Sequence, residues 1–151
     1  MNIRFIRSSE KKRITENLNG QFGIEKLPYL LIESGKERIR GFSGSLSKDE
    51  IILIAQLTNI ESIGIYLIKK ENESDLRLSI DAIHLLKDQI NKNILEINES
   101  QLHDWLRGKD LEIQTEKGNV IIKFKDDFMG SGKSNGEKIF NYLPKERRLK
   151  K

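Results

Sequence analysis

A chain of 151 residues with 36% hydrophobic and 33% charged residues has enough apolar content for a core, and fits one ordinary domain or two very small ones. It contains no cysteine, which excludes disulfides, thiolate zinc sites, iron–sulfur clusters and a cysteine nucleophile. No apolar run has the length of a membrane span and the start of the chain has no secretory-signal core, so we expect a cytoplasmic protein.

The formal net charge of +4 is unevenly distributed along the chain. From Lys117 to the C-terminus, ten Lys and Arg residues stand against four acidic residues, whereas the part before Lys117 has a slight acidic excess. A positive potential at one end of a small protein attracts phosphate polymers. A solvated basic tail would give the same charge count, so charge alone leaves both interpretations open.

The first third of the chain predicts a small α/β unit. Ser47 and Glu50 match a capping box, in which each side chain satisfies an exposed backbone donor of the other residue. The elements expected in this part are a helix over Glu10–Leu18 capped by Ser8 or Ser9 and ended by Gly20, a hairpin of strands Tyr29–Glu33 and Arg38–Phe42, and a helix over Ile51–Leu57.

The middle of the chain predicts a second hairpin and a short helix. Ile63–Ile68 is a nearly continuous apolar run, and alternating apolar residues return over Leu76–Ile80 after a polar turn. Asp81 is expected to cap a short helix that contains Ile83. Ile94–Ile97 follows as a further strand.

The last third predicts one helix followed by strands. Asn98 and Gln101 form a second capping box, which opens a helix that is closed by Gly108 and places Trp105 in the core. The strands expected after this helix are Leu111–Gln114, Val120–Phe124 and Lys138–Leu143.

The segment Gly130–Ser134 ends like a phosphate-binding P-loop but lacks the rest of that motif. Position 127 is Asp where the motif needs glycine, and a turn follows instead of a helix whose N-terminus would face an anion. Two glycines spaced two apart fit a kinked strand or a close backbone approach, and Asn135-Gly136 is a hairpin turn signal. Backbone contact with phosphates would be an added role of these glycines.

Nothing in the sequence assembles a catalytic or metal site. His84 and His103 are the only histidines, and neither stands at metal-ligand spacing with a second strong ligand. No set of acid, base and nucleophile is recognisable. We therefore expect no catalytic activity, no metal and no cofactor.

Three segments resemble, in order, the C-terminal PUA-like RNA-binding domain of RsmF-type ribosomal RNA cytosine-5 methyltransferases. They are Trp105–Leu111, Gly118–Ile122 and the stretch 127–148 with its Gly-Ser-Gly-Lys, Asn-Gly, Asn-Tyr-Leu-Pro-Lys and Arg-Arg elements, in which Met129 replaces the usual leucine. Gly64–Leu67 and Arg77–Leu86 look like the segment that precedes this domain, so the resemblance covers about residues 60–148.

The resemblance implies an α+β protein, with a small N-terminal α/β lead-in module over residues 1–58 and a PUA-like RNA-binding region over residues 59–151. Within that region it implies a mixed β-barrel with short helices over about residues 93–148. The methyltransferases use a Rossmann-like catalytic domain and a cysteine, and this chain has neither the length nor a cysteine. It therefore resembles the RNA-reading appendage standing alone, as in small archaeal-type relatives.

Charge and resemblance together predict a non-catalytic protein that contacts structured ribosomal or transfer RNA in ribosome biogenesis or RNA modification. Phe140 and Tyr142 alternate along one strand and either stack on bases or fill the core. The alternative is an adaptor that docks a separate RNA-modification enzyme or a ribosomal protein through the apolar face of the second hairpin. The residues expected to bind RNA are Gly130, Gly132, Lys133, Asn135, Lys138, Asn141, Tyr142, Lys145, Arg147 and Arg148.

Overall fold

The computed structural model describes residues 3–150, which form two β-sheets with helices packed against them. The first sheet is an antiparallel meander of five strands in chain order. Its strands are β1 (Ile3–Phe5), β2 (Leu30–Ser34), β3 (Arg38–Phe42), β4 (Ile65–Lys70) and β5 (Leu76–Leu78).

The second sheet has four strands in the order β6-β7-β8-β9. In it β6 runs parallel to β7, and the other neighbours are antiparallel. Its strands are β6 (Ile94–Glu96), β7 (Gly118–Phe124), β8 (Asp127–Ser134) and β9 (Ile139–Asn141).

Four α-helices and two single 3₁₀ turns complete the described part of the chain. None of the helices found between residues 3 and 150 is both long and apolar enough to span a membrane. The helices are α1 (Ser8–Phe22), α2 (Lys48–Leu57), α3 (Ile80–Leu85) and α4 (Glu99–Leu106), and the 3₁₀ turns are Lys87–Gln89 and Lys145–Arg147.

The first core lies between α1 and the five-stranded sheet. Ile14, Leu18 and Phe22 recur every four residues along α1 and are all buried, as one face of an amphipathic helix should be. Ile83 of α3 joins the same cluster. Burial of this apolar surface is the main free energy that holds α1 and α3 on the sheet.

The second core surrounds the indole of Trp105 on α4 and is connected to the first core through β7. Successive side chains of a strand point to opposite faces, and β7 uses both faces. Ile121 belongs to the first core, whereas Val120 and Ile122 belong to the second. Strand β7 of the second sheet therefore contributes side chains to both cores and packs the second sheet against the first.

Several expected elements are confirmed by the structure. Both hairpins form, and the two capping boxes have the expected reciprocal hydrogen bonds between side chain and backbone. The division between residues 58 and 59 stays a prediction about domains, but the first sheet runs across that position because β4 pairs with β3 and β5 pairs with β4.

The first helix differs from its prediction at both ends. Its N-cap is Arg7, which makes no side-chain capping bond, and the helix continues through Gly20. Burial of Phe22 outweighs the low helix propensity of that glycine. The helix ends where Gly23 adopts φ +86°, a left-handed conformation that glycine reaches without strain.

Other boundaries were also predicted wrongly. Ile80 begins α3 instead of ending a strand, because the hydroxyl of Ser79 accepts the Ala82 backbone N–H and caps the helix in place of Asp81. Strand β1 was not predicted at all. The expected strand Leu111–Gln114 is reduced to a single bridge from Leu111, and β9 ends at residue 141 rather than 143.

The apolar face of the second hairpin is part of the core and not a docking surface. Leu67, Ile68, Leu76 and Leu78 are each no more than 1% exposed, so most of the face expected to receive a partner is already covered by this chain. Ile65 at the start of β4 is the exception, with 45% of its surface exposed. The overall class is α+β, as expected.

Candidate nucleic-acid interface

The two glycines expected to contact phosphates are buried in β8 beneath the indole of Trp105. A Cβ on Gly132 would lie 2.6 Å from Cγ2 of Ile139 and 3.0 Å from the indole of Trp105. Gly130 has φ +112° and faces the same indole. These positions require glycine because the core leaves no room for a side chain or because the backbone is left-handed.

Asn141 is a buried structural residue of the second sheet. Its amide nitrogen donates to the carbonyl oxygens of Trp105 and Lys109, both at 2.9 Å. Its side-chain oxygen accepts the backbone N–H of Leu143 at 2.8 Å. All of these bonds join segments of this chain, so the side chain has its partners without RNA.

Lys133 lies in an ion cluster between the two sheets. Its ammonium group pairs with Glu71 and lies 3.4 Å from a carboxylate oxygen of Asp75. The hydrogen bond to Glu71 is the main cause that raises the pKa of Lys133 above its ordinary value. Asn119 donates to Asp75 at 2.7 Å in the same cluster. These contacts hold β8 against the β4–β5 turn.

Three more of the residues expected to bind RNA have side chains that already contact other parts of this chain. The side-chain oxygen of Asn135 accepts the backbone N–H of Glu137 and of Lys138 at 2.9 Å, which forms the turn between β8 and β9. The ammonium nitrogen of Lys138 lies 3.6 Å from a carboxylate oxygen of Asp110 and also lies over the Phe140 ring. Arg148 donates to the carbonyl oxygen of Leu143 at 2.9 Å.

Three of the expected residues are accessible near one another at the C-terminal end of the second sheet. Lys145 is exposed and makes no side-chain bond or ion pair with another described residue. Arg147 and Tyr142 line a cleft of about 380 Å³ between the two sheets. The ten expected residues therefore do not share one surface, since the exposed Asn135 lies in the turn between β8 and β9. Gly130, Tyr142 and Arg147 line the cleft, and Lys145 lies in the chain between the lining residues Pro144 and Glu146.

The first sheet supplies a second set of cationic and aromatic side chains to the cleft. Arg38, Tyr66 and Arg77 line it from β3, β4 and β5. The guanidinium carbon of Arg77 lies 4.0 Å from the centre of the Tyr142 ring, and that of Arg38 lies 5.1 Å from the centre of the Tyr66 ring. Each arginine thus stacks on a tyrosine.

The charge of the cleft is positive. Three arginines line it against two carboxylates, Asp81 and Glu146. Arg147 donates to Asp81 at 3.0 Å, and about half of each side chain is exposed. An exposed pair of this kind contributes little to stability, so Arg147 can exchange Asp81 for a phosphate at small cost.

A larger cavity of about 740 Å³ is less suited to a polyanion. Its charged lining residues balance, three basic against three acidic. They are Lys87, Lys123, Arg147, Asp88, Asp126 and Asp127. Across residues 3–150, no three His, Asp or Glu side chains are grouped in a way that could hold a metal ion.

Sequence reasoning missed Arg38, Tyr66 and Arg77. A basic residue on an amphipathic strand is ordinarily a solvated side chain, and its position in the sequence does not show which element covers that face. The one local signal is that Arg38 and Arg77 both belong to strands with alternating burial. Only the packing of the second sheet against these strands turns the two arginines into the wall of a cleft.

Comparison with known proteins finds a family match in the C-terminal part of the chain. Residues 92–149 match the family described as the methyltransferase RsmF PUA domain. Similar curated proteins are the ribosomal RNA small subunit methyltransferases F of Vibrio cholerae, 37% identical over 54 residues, and of Shewanella woodyi, 35% identical over 69 residues. That of Aliivibrio fischeri is 29% identical over 82 residues.

The matched stretches cover 34%, 44% and 54% of this chain but only 11%, 14% and 17% of the methyltransferases from Vibrio, Shewanella and Aliivibrio. The family match lies on the PUA domain and not on the catalytic region. This chain is therefore similar to only a small part of the length of those enzymes.

Proposed function

We propose, from the premise that residues 92–149 are a PUA-like domain of the RsmF type, that this protein binds RNA and has no catalytic activity of its own. The observation that carries the proposal is that Arg38 and Arg77 of the first sheet and Arg147 of the 3₁₀ turn after β9 line one cleft. The exposed Lys145 begins the same turn. A guanidinium group can donate two parallel hydrogen bonds to phosphate oxygens, which makes arginine well suited to binding RNA.

The finer features of the protein form part of the same proposal. The RNA is ribosomal or transfer RNA, bound in the cytoplasm during ribosome biogenesis or RNA modification. A mixed barrel built on the second sheet belongs to the same proposal, and the antiparallel bridge between Leu111 and Ile139, which continues that sheet beyond β9, supports it. The relatives from Vibrio cholerae and Aliivibrio fischeri are named ribosomal RNA small subunit methyltransferase F. This name favours ribosomal RNA over transfer RNA as the bound RNA.

Replacing Lys145 and Arg147 together by alanine is expected to weaken RNA binding roughly tenfold at low salt, because two phosphate contacts are lost. The slope of log affinity against log salt concentration should become shallower by about 1.4 to 1.8. Fluorescence anisotropy with a labelled stem–loop from small-subunit ribosomal RNA, titrated across a salt series, measures both quantities.

The matched control is the double substitution of Lys12 and Lys26 by alanine. Both lysines are exposed, neither lines the cleft, and the change in net charge is the same. Equal losses in the two double variants would show that net charge alone matters and would overturn the site. Absence of RNA binding by the unaltered protein would overturn the function itself.

An adaptor that docks a separate RNA-modification enzyme is the second candidate function, and helix α2 is the observation that favours it. Only Ile51 of this helix is buried, whereas Leu53 is 55% and Leu57 78% exposed. A helix that is apolar over most of its circumference is normally covered by protein, and exposed apolar patches of this kind mark protein interfaces.

Substitution of Leu53 and Leu57 by glutamate is expected to abolish co-purification of an RNA-modification enzyme after nuclease treatment, while RNA affinity of the purified protein is retained. Charged side chains on an apolar docking face oppose its burial. The control is Gln56→Glu, an exposed polar position on the same helix. Mass spectrometry identifies the bound protein, and unchanged recovery of such an enzyme with the double variant would dismiss α2 as its docking site.

A further inference from the structure

The cleft between the sheets has room for one small group and not for a double helix. Its volume of about 380 Å³ lies at the lower end of the roughly 300–1,000 Å³ range of sites that take small ligands. Duplex RNA presents its phosphates on the outside of a wide helix and cannot enter such a space. A single nucleotide turned out of a loop or bulge can, because its base is no longer stacked on its neighbours.

Arg77 is held as a flat platform at the wall of this cleft. Its guanidinium lies against the Tyr142 ring at 4.0 Å, and one of its nitrogens is 3.7 Å from a carboxylate oxygen of Glu71. The side chain is only 19% exposed, so few rotamers remain open to it. A guanidinium plane fixed in this way is one of the surfaces on which proteins stack unpaired RNA bases.

The other two arginines of the cleft are placed to hold a phosphate. Arg38 lies over the Tyr66 ring and has no acidic partner among the residues that the structure describes. Arg147 has only the exposed pair with Asp81. A nucleotide therefore finds a stacking surface from β5 and two cationic groups, one from β3 and one from the 3₁₀ turn after β9.

We propose that the cleft binds one unpaired nucleotide of an RNA loop or bulge, with its base on the guanidinium of Arg77 and its phosphate between Arg38 and Arg147. This inference rests on the proposed RNA-binding function and narrows it to RNA that contains an unpaired nucleotide. Tyr142 and Tyr66 are positioning residues, because they hold the guanidinium planes and need not contact the base.

Arg77→Lys separates stacking from charge, since lysine keeps the positive charge but has no planar group. The expected result is a loss of about fivefold or more in affinity for a stem–loop, the scale of one lost base stack, with no change for a fully paired duplex of the same length. A 2-aminopurine at the unpaired position, whose emission is quenched by stacking on neighbouring bases, should brighten on binding to the unaltered protein as it leaves that stack, and brighten less with the variant.

The control is Arg13→Lys, the same substitution at an exposed position of α1 outside the cleft, and thermal unfolding of each variant verifies the fold. Equal affinities of the unaltered protein for stem–loop and duplex, or of Arg77→Lys and the unaltered protein for the stem–loop, would overturn the inference while leaving RNA binding intact. The inference would also be overturned if free nucleoside monophosphates bound the protein more tightly than the stem–loop does. Failure of every RNA to bind would instead overturn the proposed function.

Discussion

Trp105→Ala is expected to lower the free energy of unfolding by about 3–5 kcal/mol, the range for removing a large aromatic side chain from a core. The indole is fully buried at the centre of the second core and lies over Gly130 and Gly132, which have no side chains to fill the space it leaves. Its ring nitrogen also donates to the carbonyl oxygen of Met129 at 2.7 Å, and alanine leaves that oxygen without this donor.

The measurement for Trp105 is urea unfolding followed by circular dichroism, because this is the only tryptophan and its fluorescence is lost in the variant. Trp105→Phe is the matched control: it keeps most of the apolar volume but loses the hydrogen bond and part of the ring system, so a smaller loss of about 1–2 kcal/mol in the free energy of unfolding is expected. If alanine and phenylalanine had equal effects, the indole would not be the packing centre of this core.

Asn141→Ala is expected to lower the free energy of unfolding by about 2–4 kcal/mol. The carbonyl oxygen of Lys109 and the N–H of Leu143 lose this partner, and the carbonyl oxygen of Trp105 keeps only the Gly108 N–H. The carbonyls belong to the end of α4 and to the loop after it, so the substitution detaches that helix end from β9. Under conditions where the variant is fully folded, its affinity for RNA should equal that of the unaltered protein, since the side chain faces the core.

Asn135→Ala serves as the control for Asn141, with the same residue types exchanged in an exposed turn. Its turn-closing bonds to two backbone N–H groups are accessible to water, so a loss of about 1 kcal/mol or less is expected. Chemical denaturation of both variants beside RNA titrations gives the comparison. A specific loss of RNA affinity in folded Asn141→Ala would return this residue to the binding site.

Features that depend on neighbours in the chain could be predicted from the sequence. The capping boxes at Ser47 and Asn98 form because each joins groups only three residues apart. The Asn135-Gly136 turn between β8 and β9 is of the same kind. Boundaries failed where distant burial competed with local preference, as in α1, where Phe22 of the core carries the helix past Gly20.

The candidate site could be predicted only in part. Tyr142, Lys145 and Arg147 were expected from the charged C-terminal segment and are accessible at one end of the second sheet. The same reasoning placed Asn141 and Gly132 in the site, although both are buried. Residue type suggests chemistry, but it does not reveal whether a polar side chain turns toward solvent or satisfies the backbone of another segment.

By itself, the sequence determined the local elements, the cationic character of the last third and the likeness of that part to an RNA-reading domain, because each of these depends on composition or on residues close in the chain. Only the tertiary structure determined which residues come together to form the cleft. Arg77 and Tyr142 stand 65 positions apart and meet only because β7 places its two faces in two cores and so packs one sheet on the other. A contact of that separation depends on strand register and core packing, which no short segment of sequence specifies.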